Sequence, residues 1–172
     1  SPLLANGRLD TTTVGTHTLT ITATPLGGTP VTRTVTYAVY YGFDGFRQPV
    51  DNPPVLNTAQ AGKTIPVKWA LLDAAGNSVS QLSAVTSVSV AMLQCPSEAT
   101  DAIETTVADG LAGLTYDTAG KQFIFNWQTT KGWTGCRRLI VQLADGSPPR
   151  YADFKFTLPD VIARPAHSSS ST

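Results

Sequence analysis

Apolar and polar residues alternate with period two along most of the chain. In the run from His17 to Ala23, Leu19, Ile21 and Ala23 fall on one side and Thr18, Thr20 and Thr22 on the other. That is the pattern of a strand with one face against a core and one in solvent. A turn of Gly and Pro follows, from Pro25 to Pro30, and then a second strand with Val35, Tyr37 and Val39 inward and Thr32, Thr34 and Thr36 outward. Two such strands about a Gly/Pro turn predict a hairpin.

Beyond Gly42 the pattern pauses. Pro49, Pro53 and Pro54 forbid a helix, so 42–57 reads as a linker and an opening strand. Alternation then resumes with Ile65, Val67, Trp69 and Leu71 on one side. Val88, Val90 and Met92 lead into Cys95. Leu114 and Tyr116 precede a turn at 117–120, and Phe123, Phe125 and Trp127 follow it. Leu139, Val141 and Leu143 end at Asp145-Gly146, and Ala152, Phe154, Phe156 and Leu158 form the last strand. Six or seven strands at regular spacing predict an all-β, immunoglobulin-like β-sandwich over residues 42–160. Residues 1–41 offer only two strands, whereas a free-standing immunoglobulin-like domain needs about seven. They read as the C-terminal part of a second such unit, whose apolar side must be buried somewhere. Residues 161–172, ending in a serine run, read as a flexible tail or linker.

Composition narrows the function classes. The 12 basic and 12 acidic side chains cancel, so there is no electrostatic case for nucleic acid. No apolar stretch approaches the roughly 18 residues of a membrane span, and the first residues lack the basic and apolar segments of a signal peptide. Only 14% of residues are charged, which suits strands better than the charged surfaces of helices. Two cysteines, Cys95 and Cys136, predict one disulfide and an oxidising, secreted or cell-surface location.

Catalytic chemistry finds little to stand on. Of the two histidines, His17 is assigned to the threonine face of its strand and His167 to the serine tail, which leaves the core without a triad base. The two glutamates, Glu98 and Glu104, share one loop-like stretch and do not face each other across a cleft. No spacing suits zinc, and no cofactor is expected. Asp73 with Asn77, Asp44 with Asp51, and Glu98 with Asp101 are loop pairs that suit turns better than calcium. Lys68 stands between Val67 and Trp69, pointing away from both. It reads as a guard on the solvent face of an edge strand, with an isopeptide amine as the alternative. Trp69 and Trp127 belong to inward faces. Trp133 lies in a Gly-flanked turn, where an aromatic ring is free to contact a ligand such as a polysaccharide.

The run from Tyr41 to Asn57, followed by Ala61-Gly62-Lys63-Thr64-Ile65-Pro66-Val67-Lys68-Trp69, resembles the bacterial PxKF domain, named for a Pro-x-Lys-Phe motif. The motif here is Pro66-Val67-Lys68-Trp69, with Trp in place of Phe. Phe125-Asn126-Trp127, Trp133-Thr134-Gly135-Cys136-Arg137-Arg138-Leu139 and Phe154-Lys155-Phe156 extend the likeness over about 42–158. Through Leu9-Asp10-Thr11, Val14-Gly15-Thr16-His17 and Thr34-Val35-Thr36-Tyr37, residues 6–41 are similar to the end of a bacterial immunoglobulin-like repeat. The resemblance implies an accessory module of secreted or wall-associated proteins, with no catalytic residues. The expected partners are other domains of a larger secreted protein or neighbouring copies of the chain. The second reading is a carbohydrate-binding accessory domain of a secreted hydrolase, with Trp133 on its contact surface.

Overall fold

The computed structural model describes residues 7–95, 100–102 and 113–158. The expected tail, together with His167, Glu98 and Glu104, lies outside them. The first unit is a two-stranded antiparallel hairpin, β1 (Gly15–Ala23) and β2 (Val31–Val39), paired one-to-one over its whole length. The rest is two sheets packed face to face. One runs β3 (Phe46–Arg47), β5 (Thr64–Trp69), β9 (Gln122–Gln128) and β8 (Gly113–Asp117). The other has the order β6 (Val85–Leu93), β10 (Gly135–Leu143), β11 (Arg150–Thr157), β4 (Leu56–Gln60) and β7 (Thr100–Ala102). This is the all-β sandwich that the alternation predicts. Two pairings in the second sheet are parallel, β11 with β4 and β4 with β7.

The core is built from the inward positions read in the sequence. Ile65, Val67 and Trp69 of β5 meet Leu139 and Val141 of β10 and Ala152 and Phe154 of β11, all fully buried. Aromatic rings carry much of the interface. Trp69 stacks on Phe123, and Phe46 meets the edge of Trp69. Burying rings of this size stabilises the sandwich through both area and ring geometry.

Side chains fasten the linker to this core. The carboxylate of Asp145, in the turn between β10 and β11, accepts the Tyr41 N–H at 2.7 Å and the Ser147 N–H at 3.0 Å. Asn52 mimics a strand partner for Phe46, accepting its N–H at 2.6 Å and donating to its carbonyl at 2.8 Å. Gly45 allows that approach: its φ is +114°, and a Cβ there would meet Asn52 Oδ1 at 2.7 Å. The buried amide of Asn57 bridges the Asp51 backbone and the Asp153 carbonyl, tying the opening strand to the last one.

Four expectations need correction. His17 is not on the threonine face: its cross-strand partner is Tyr37, on which its ring stacks at 5.2 Å, so it shares the side of Leu19. Lys68 is not on an edge, because β3 covers β5 there, with Arg47 opposite Lys68. Val90 and Met92 take inward positions opposite Leu139 and Arg137, yet both are exposed. Finally, the apolar side of the hairpin is not buried along its length. Tyr37 and Val39 are half-buried near the sandwich, but Ile21, Val31 and Val35 are at least half exposed.

Candidate functional site

The turn that carries Trp133 is held by a threonine. Thr129, at the end of β9, donates its hydroxyl to the Lys63 carbonyl at 2.6 Å and accepts the Gly62 N–H at 3.0 Å. Gly62 has a φ of +84°, and a Cβ there would meet the Lys131 side chain at 2.6 Å. The two loops therefore pack backbone against backbone. The Trp133 N–H then closes on the Thr130 carbonyl at 3.3 Å and fixes the ring position.

The indole of Trp133 is half-buried, more open than Trp127 or the fully buried Trp69. Its neighbours are Phe156 at 5.4 Å and Trp127 at 6.1 Å, so it ends an aromatic row that begins in the core at Phe154. The guanidinium of Arg137 lies over the ring, 4.2 Å from its centroid, while its Nη1 donates to the Thr134 carbonyl. A sugar platform needs a bare aromatic face. Here Arg137 covers one, and a stacked ligand would displace a cation–π contact of about 0.5–1 kcal/mol.

Three shallow clefts lie elsewhere. One of about 220 Å³ is walled by Phe43, Pro53, Arg150 and Tyr151, and one of about 250 Å³ on the other side of Phe43 includes Asp44 and Arg47. A third of about 370 Å³ is lined by Thr12, Tyr41, Asp73 and Gln81, near the hairpin base. The first two are smaller than the 300–1,000 Å³ typical of ligand pockets, and the third lies at the low end of that range. None is lined by a histidine or a cysteine. The His17 ring nitrogen is engaged with the Thr13 carbonyl at 2.8 Å.

The proposed calcium pairs take three different places. Asp73 is a turn former whose carboxylate accepts the N–H groups of Ala75 and Asn77 at 2.9 and 2.8 Å. The Asn77 N–H, foremost among these bonds, holds its pKa below the ordinary 3.8. Asp51 is bonded by the Gln48 amide. Glu98 lies outside the described residues. Among the described residues no three His, Cys, Asp or Glu side chains converge as a metal site would need.

Cys95 and Cys136 are joined, with Cα atoms 5.0 Å apart. Cys136 opens β10 and Cys95 follows β6, so the bond staples neighbouring strands of one sheet. Lys68 is half-buried at the sheet surface, and its charge helps lower the pKa of Asp117, after the Gly120 N–H and the Gln122 amide.

Sequence reasoning missed a cluster on the outer face of the second sheet. Arg138 forks onto Asp153 and lies 3.7 Å from the centroid of the Tyr151 ring. It also missed Arg150, whose guanidinium lies 5.3 Å from the Phe43 ring and whose buried Nε has no hydrogen-bond partner among the described residues. A register for the turn at 145–146 would have placed Arg138 opposite Asp153. No family model and no curated protein matches the chain.

Proposed function

We propose that the chain is a non-catalytic structural and interaction module of a secreted or cell-surface protein, a spacer or assembly element that holds neighbouring domains or copies together. The observation that carries this reading is the open side of the hairpin. Ile21, Val31 and Val35 are 50%, 56% and 52% exposed, whereas the inward residues of the sandwich strands are buried. Apolar residues held in a regular strand pair and left in solvent mark a contact surface. The disulfide supports an oxidising compartment. The resemblance to the PxKF domain supports an accessory role, and the hairpin supports the kinship of 1–41 with an immunoglobulin-like repeat.

Carbohydrate binding at Trp133 is the second reading, favoured by the partial exposure of that ring. Fluorescence titration with soluble polysaccharide fragments separates the two. The structural reading expects no saturable quenching in the wild-type chain. Saturable quenching that disappears in Trp133→Ala would transfer the assignment to carbohydrate binding.

A further inference from the structure

Nine-residue edge strands are normally guarded. An edge presents unpaired N–H and C=O groups, and natural proteins blunt it with charge, proline, bulges or brevity. Most edges of this chain follow that rule. β3 has two residues, β7 has three, and β8 has five and ends in Asp117. β2 carries Arg33. Two strands break the rule. β1 (GTHTLTITA) and β6 (VTSVSVAML) each run nine residues with no Lys, Arg, Asp, Glu or Pro. Among the described residues β1 pairs with β2 alone and β6 with β10 alone. The β1 ladder has no bulge, and the one irregularity of the β6 ladder lies at its start, between Val85 and Ser87, before the run from Val88 to Met92.

The two unguarded edges match in chemistry as well as length. Each strand is apolar on one side and hydroxylated on the other. β1 sets Leu19 and Ile21 against Thr18, Thr20 and Thr22, and β6 sets Val88, Val90 and Met92 against Ser87 and Ser89. In each the apolar side is open: Ile21 is 50% exposed, Val90 39% and Met92 85%. Laid side by side, the strands would pair aliphatic with aliphatic residues and threonine with serine, the cross-strand combinations that stabilise a sheet.

We propose that the β1 edge of one copy adds to the β6 edge of a second copy, so that the hairpin extends the five-stranded sheet of its neighbour. This rests on the structural-module reading given above. The occupant is a second copy because both halves of the matched surface stand on the one chain. The contact is heterologous, using different patches on the two partners. Each copy therefore keeps one free edge, and association continues into a filament or closes into a ring.

Two exposed single substitutions test it by sedimentation velocity. Ile21→Lys places a guard on β1 and Met92→Lys places one on β6. The wild-type chain should gain mass with concentration, and each variant alone should be at least about tenfold weaker in self-association, the cost of an unpaired charge in the contact. Mixed together, the two variants should form a one-to-one heterodimer that grows no further, through the intact β6 of the first and the intact β1 of the second. Circular dichroism and unchanged urea midpoints establish that both are folded, and Thr20→Lys with Ser89→Lys repeats the test on the hydroxylated sides. A monomeric wild type overturns the proposal. So does a Met92→Lys chain that still dimerises alone, which would mean symmetric β1 pairing. Either result leaves the module reading standing, whereas saturable polysaccharide binding removes that reading itself.

Discussion

Arg138 and Asp153 are direct cross-strand partners on β10 and β11, and their side chains close a two-pronged bond, Nε to Oδ1 at 2.7 Å and Nη2 to Oδ2 at 2.8 Å. The Tyr151 ring lies under the guanidinium. Three groups are thereby locked on the outer face of an inner strand pair. The Asp153 bond raises the pKa of Arg138 above its ordinary value, so the guanidinium stays charged at any accessible pH.

Two substitutions there should be felt. Asp153→Asn removes the charge, and Arg138→Lys removes the fork and the flat surface against Tyr151. The Arg138 side chain is 34% exposed, so solvent screening limits the loss, and each should cost about 1 kcal/mol. Urea midpoints check this. Arg138→Lys indistinguishable from wild type would show that the fork geometry contributes nothing.

Trp69 invites an unusual substitution. Its ring is fully buried, yet its Nε1–H has no hydrogen-bond partner among the described residues. A buried unsatisfied donor costs about 1–3 kcal/mol. Trp69→Phe removes that donor while leaving a gap against Phe46 and Phe123. The two effects oppose each other, so the net loss should stay below about 1.5 kcal/mol, against about 3–5 for Trp69→Ala. A Phe variant as damaged as the Ala variant would show that indole volume alone governs the site.

Reduction of Cys95–Cys136 opens a loop spanning a sequence separation of 41 residues. The chain-entropy account puts its stabilisation at about 4 kcal/mol. Intact mass after alkylation should show free thiols only in reduced samples. The reduced form should lose amide protection first along β6 and the start of β10. Uniform loss across both sheets would contradict that local role.

Acid should remove a small, defined part of the stability. Asp73 and Asp117 both have folded-state pKa values below the ordinary 3.8, through the N–H groups of Asn77 and Gly120 respectively. A depressed carboxyl pKa contributes stability that is fully present above the unfolded value and drains as pH falls through the folded one. Wild type and Asp73→Ala should therefore differ by a steady amount above pH 3.8 and converge as the pH falls below it. A constant difference across that range would mean that the Asp73 charge state is immaterial to its turn.

Alternation made much of this fold legible. Leu139, Val141, Phe154 and Phe156 were all assignable to the core from parity, and all are buried to within 2%. Parity reports a side of a sheet, however, and not whether another layer lies over it. Val90 and Met92 occupy the core side by register, and both stand exposed. The placement of His17 was available from the same pattern, since it lies two residues before Leu19. The parallel partnership of β4 was not, because nothing local in Leu56–Gln60 specifies which distant strand it will join. The Trp133 turn was visible in its glycines, but the Arg137 that covers the ring is set by tertiary packing.

That parallel partnership has a mechanical consequence. β4 is the first strand of the second sheet in chain order and β11 the last, and the two run side by side in the same direction for five residue pairs. The Ala61 N–H extends the ladder to the Thr157 carbonyl. Tension applied through the ends of the sandwich first strips the two-residue β3 and then pulls β4 and β11 past one another lengthwise. In that geometry the interstrand bonds share the load together and are not opened one at a time, so a chain stretched as a stalk resists at its own terminal seam.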